Sequence, residues 1–181
     1  MTTWVHYDPA TGAIRQAGLC ANEAEAGQQV PAKDLHLLVL PDGLIGGPLT
    51  PEPDLSRLRL WLQQQIDAQA ARLFAGVVTD IAGQDRRYLL KAREAREWSE
   101  GDEVTHPERY PFMLAARDAA AAVGADVTMM DIRDQILAQS AASAAAEADI
   151  EARRVTHKQL IRDAGNLAQI IEAAAVSWPA A

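Results

Sequence analysis

Apolar positions recur in two different rhythms along the chain, and the rhythm changes near residue 50. Before that point, short β-prone runs alternate with turn residues. Thr3-Trp4-Val5-His6-Tyr7 is followed by Asp8-Pro9-Ala10-Thr11-Gly12. Proline presets a negative φ there and glycine accepts a positive one, so this is a turn. Ala13 to Ala17 returns as a second strand, which makes Trp4, His6 and Ile14 members of an expected β-hairpin. Leu35-His36-Leu37-Leu38-Val39-Leu40 is closed by Pro41-Asp42-Gly43 and is too short for a helix, so it reads as a further strand. Leu44 and Ile45 extend it toward a second hairpin that ends at Gly46-Gly47-Pro48. Strands this few and short need a partner surface.

Pro48, Pro51 and Pro53 form a connector, because proline turns its predecessor away from helix. Beyond it the rhythm is helical. Asp54 is a suitable N-cap, and Leu55, Leu58, Leu62, Ile66, Ala70, Leu73 and Val77 recur at spacings of three and four. A second helix is expected from Gln84 to Trp98. A third opens at Pro107, capped by Thr105 or His106, and stops at Gly124. Thr128 or Asp126 caps a last helix of roughly 35–50 residues, interrupted at Gly165-Asn166. The expected fold is mainly α: a helical bundle of about four helices (51–181) with a long C-terminal helix, carrying a small N-terminal β-hairpin region (1–50). The helical part is expected to fold without the first 50 residues.

The last helix carries a second pattern. Ile132, Ile136, Gln139, Ser143, Ala146, Ile150, Arg153, His157, Leu160, Ala164, Leu167, Ile171 and Ala174 alternate by four and three, the coiled-coil period. Its apolar members Ile132, Ile136, Ile150, Leu160, Leu167 and Ile171 form a candidate self-association seam. The middle of the seam is small or polar, so two readings stand. In one, the helix folds back on its neighbours with Ala138 to Ala148 as the close-contact zone. In the other, copies associate through its ends as a homo-oligomer.

Composition sharpens this picture. Of 181 residues, 49% are hydrophobic and 23% charged, a globular balance. Alanine makes up about one residue in five and aromatics 5%, so the core must be made by closely packed helices. The net charge of −8 argues against bulk attraction to nucleic acid or to an anionic membrane. No apolar run reaches the length of a membrane span, and the first residues lack the pattern of a signal peptide. A lone Cys20 excludes a disulfide within the chain and has no activating neighbour in sequence.

Catalytic patterns are missing. His6, His36, His106 and His157 have no metal-ligand spacing, and no GxSxG, phosphate loop or GxGxxG occurs. Gly43, Gly46 and Gly47 make a turn. Glu100 and Glu103 lie in a charged loop, without the aromatic platforms of a sugar cleft. These observations predict neither an enzyme, nor a cofactor, nor a metal site.

The most concentrated charge is Arg86, Arg87, Lys91, Arg93 and Arg96, set against Asp85, Glu94 and Glu97. It reads as a solvated face or as one half of a complementary pair with the acidic segment 99–131. Within it, Gln84, Tyr88, Lys91 and Ala95 fall at helical spacing. A buried lysine needs a partner, and Glu94 is one turn on. Gln84, Tyr88, Lys91 and Glu94 are therefore a candidate partner face or a lock between two helices.

The segment Gly83 to Ala95 reads GQxxxYxxKxxEA. It resembles a pattern of small helical proteins encoded near the tail-fibre genes of tailed bacteriophages. Arg72 precedes it. Tyr110-Pro111, Val123-Gly124, Ile150-Glu151-Ala152-Arg153-Arg154 and Ile161-Arg162-Asp163-Ala164 follow in the same order, and Tyr7-Asp8-Pro9-Ala10-Thr11-Gly12 resembles the opening hairpin of phage fibre proteins. The resemblance implies a non-enzymatic component of a phage tail tip or fibre, or alternatively a fibre-assembly chaperone that leaves before the particle is complete. It implies other tail proteins as partners, a location in the virion tail after assembly in the host cytoplasm, and a trimer, since tail fibres are commonly threefold.

Overall fold

The computed structural model describes residues 1–41, 43–44, 54–77 and 84–179. The chain is mainly helical with a small antiparallel sheet at its N-terminus. Three strands, β1 (Thr2–Tyr7), β2 (Ile14–Cys20) and β3 (His36–Pro41), lie in the order β2-β1-β3. Seven helices are seen among the described residues: α1 (Glu23–Gly27), α2 (Leu55–Val77), α3 (Gln84–Glu97), α4 (Asp102–Thr105), α5 (Pro111–Ala122), α6 (Met129–Asp163) and α7 (Leu167–Ala174). The four long ones, α2, α3, α5 and α6, are those the apolar spacing predicts. Residues divide into two compact units, 1–71 with 151–178 and 72–150 with 179–181, so the division cuts across the boundary expected near residue 50.

In the first unit the expected hairpin forms, with Trp4 opposite Gly18 and Val5 opposite Ala17. Its turn is held by Asp8, whose Oδ1 accepts from the Ala10 amide at 2.9 Å and the Thr11 amide at 3.3 Å. Two glycines are required. A Cβ on Gly18 would sit 2.6 Å from the Trp4 indole ring. Gly12 has φ +75° and rests against the first turn of α7, where a Cβ would lie 2.8 Å from the Ala168 amide nitrogen. β3 pairs with β1, Leu38 facing Val5. The second hairpin expected through Ile45 falls largely outside the described residues. The short helix α1, which no apolar period announces, is capped by Asn22 through the Glu25 amide.

Successive strand side chains point to opposite faces. Val5 and Tyr7 therefore share one face of β1 and join Leu40 of β3 in a core with Leu58 and Ile66 of α2, Ile161 of α6, and Leu167 and Ile170 of α7. The sheet thus supplies part of the core of these helices. Asp54 caps α2 as expected, its Oδ1 accepting from the Ser56 and Arg57 amides at 3.1 Å. The break near Gly165 is also present, and Asn166 caps α7 through the Gln169 amide. Arg59 donates to the Ala164 carbonyl at 2.7 Å, satisfying an oxygen just past the C-terminus of α6. Asp67 accepts from Arg154 at 2.7 Å and Lys158 at 2.6 Å, and Trp178 donates to Gln69.

The second unit is built on Ala95, Trp98, Tyr110, Met113, Met129 and Ile132. α3 ends near Trp98, and Gly101 turns the chain with φ +91°. The third long helix begins at Pro111 and not at Pro107, which instead opens a single 3-10 turn, Pro107–Arg109. The cap is also different from the one expected. Tyr110 at the N-cap bonds no amide with its side chain. α5 closes with Gly124 at φ +81°, with Ala125 donating to the Ala120 carbonyl and Gly124 to the Ala121 carbonyl, both at 3.0 Å. These two bonds are the Schellman pattern. At the start of α6, the Asp131 amide donates to Thr128 Oγ1 while Asp131 Oδ2 accepts from the Thr128 amide, a reciprocal cap with aspartate in the usual place of glutamate.

Candidate functional site

α3 sets the site, because it presents different side chains to two neighbours. Residues 88 and 94 are six apart, so at about 100° per residue they point roughly 120° apart. Glu94 turns inward and is 8% exposed. Its Oε2 accepts from the Phe112 amide at 2.9 Å and the Met113 amide at 3.0 Å. Those are the first two free donors of α5, since Pro111 at the first helical position has none. Glu94 is thus the missing cap of α5, delivered from another helix. Burial pushes its carboxyl above the ordinary glutamate value, against the two amides and the nearby charge of Lys91.

Two further carboxylates secure the same junction. Tyr110 is fully buried and its hydroxyl donates to Asp102 Oδ2 at 2.9 Å. The Trp98 indole donates to Glu103 Oε2 at 2.9 Å. The Tyr110 hydroxyl and the Ser99 amide hold the Asp102 carboxyl below the usual aspartate range. Glu103 is lowered by its own backbone amide and by Trp98. The guanidinium of Arg133 lies 5.5 Å from the Trp98 ring centre, on its face.

The other side of α3 is open. Tyr88, 44% exposed, and half-buried Lys91 line a groove of about 670 Å³ within the second unit. Leu89, Ala92 and Arg96 of α3 share it with Phe74 and Val77 of α2. The α6 side is made by Ile136, Gln139, Ser140, Ser143, Ala144 and Glu147. Three of the four candidate residues on α3 are accordingly divided: Tyr88 and Lys91 belong to the groove and Glu94 to the helix junction. The side chain of Gln84 lies outside the described residues.

The six seam residues of the C-terminal region are not brought together as one surface. Ile132 belongs to the core of the second unit and Leu167 to that of the first. Ile150 is 1% exposed. Ile136 and Ile171 are half-buried beside those cores. Only Leu160 is open, at 48%. The alanine run is also not the expected close-contact zone. Ala138, Ala141, Ala142, Ala144, Ala145 and Ala148 are exposed. The polar middle of the seam was the sequence signal for the groove wall, but nothing in the sequence placed it beside α3.

The remaining candidates are structural. His157 Nδ1 lies 2.7 Å from the Ala173 carbonyl. His36 is exposed and meets the edge of the Tyr7 ring, and His6 Nδ1 is 3.0 Å from Gln16 Oε1. Among the described residues no three of His, Cys, Asp and Glu are grouped to hold a metal ion. None of the described helices is long and apolar enough to cross a membrane. No family model, curated protein or solved structure matches the chain.

Proposed function

We infer that the chain is a non-enzymatic structural component of a bacteriophage tail, a tail-tip or tail-fibre-associated adaptor that works through protein contacts. The observation that carries this reading is the division of labour along α3. Within the segment that resembles phage proteins, Glu94 locks the next helix in place while Tyr88 and Lys91 face an open groove. A rigid element with one face spent on the scaffold and one left for a partner is what an adaptor needs. Its partners are other tail or fibre proteins, its place is the tail of the virion, and it is assembled in the host cytoplasm.

Self-association belongs to the same proposal, with a trimer as the preferred state. Because Ile132, Ile150 and Leu167 are used inside the chain, the contact would run through exposed parts of α6, with Leu160 at one end. Light scattering over a concentration series tests it, and a monomer of 19.6 kDa at every concentration removes it. An assembly chaperone is the second reading. The open groove favours it equally, since a released carrier also needs a seat for its client. Quantitative mass spectrometry of purified particles separates the two. Stoichiometric presence supports the tail component. Absence from particles together with abundance in the lysate supports the chaperone and overturns the first reading.

A further inference from the structure

We draw no further inference here: the strongest candidate, the open groove between α3 and α6 lined by Tyr88, Lys91, Arg96, Ser143 and Glu147, carries charge of both signs, and nothing in the structure shows what covers it.

Discussion

Glu94 is a residue whose neighbours in sequence conceal its role. Read along the helix, it is the acid one turn from Lys91. In three dimensions it is the N-terminal cap of α5, accepting from two amides that have no other partner in the helix. Glu94→Ala should destabilise the chain by about 1–3 kcal/mol in urea unfolding, because one buried and one part-buried donor lose their acceptor. Glu94→Gln keeps an oxygen there and should cost less. The pH dependence separates this residue from its neighbours. Burial raises the Glu94 carboxyl above its ordinary value of 4.5. Its stabilising contribution is therefore greatest below that pH and falls as pH rises through the raised value. The deficit of Glu94→Gln should accordingly shrink from acid toward neutral pH. Asp102 behaves oppositely. Its carboxyl lies below the ordinary 3.8, so its contribution is present above that pH and is lost as pH falls through the lowered value. Asp102→Asn should show a stability deficit at pH 7 that disappears in acid, measured by the same unfolding curves.

At the scale of elements, α6 is one continuous helix held in two ways. On either side of its alanine stretch it is anchored by burial, with Ile132 at 5%, Ile150 at 1% and Ile161 at 0% exposure. Between Ala138 and Ala148 it is largely exposed, and helix propensity, in which alanine is the best residue, takes over from packing. The two regimes predict different costs. Ala141→Gly and Ala142→Gly should each destabilise by about 1 kcal/mol, the intrinsic penalty of glycine in an exposed helix. Ile150→Ala should cost about 2–5 kcal/mol, since it removes a fully buried side chain. Chemical denaturation of the three variants checks the ratio. If the glycine variants cost as much as Ile150→Ala, the alanine stretch is covered by a partner in solution.

At the scale of the molecule, the strands and helices of the first unit share one core. Val5, Tyr7 and Leu40 meet Leu58, Ile66, Ile161, Leu167 and Ile170. Residues 54–181 alone would expose those helical side chains, so the fragment should lose the cooperative melt of the first unit and tend to aggregate. The junction around Trp98 and Tyr110, which lies wholly within 72–150, should persist. Circular dichroism and near-ultraviolet spectra of the fragment test both statements. The same reasoning changes the test of self-association. Leu167 is 2% exposed and its replacement by aspartate would damage the core, whereas Leu160→Asp, at an exposed position, probes only the surface.

Local order was legible in the sequence because its causes are local. The three-and-four spacing of Leu58, Ile66 and Ala70, the caps at Asp54 and Thr128, the turn at Asp8 to Gly12 and the break at Gly165-Asn166 each depend on residues within a turn or two of one another. The division between strands and long helices followed from the same signals. What packs against what was not legible. A 3.5-residue seam states that a helix has an apolar side, and it is silent on whether that side meets another copy or the same chain. Here Ile132 and Leu167 went to two different cores of one chain. The groove has the same origin. Tyr88 and Ser143 lie 55 positions apart in sequence, and only the packing of the second unit brings them to one cavity. Short-range backbone chemistry is written residue by residue, but long-range pairing is chosen by the competition of all apolar faces for burial, and that choice exists only in the folded chain.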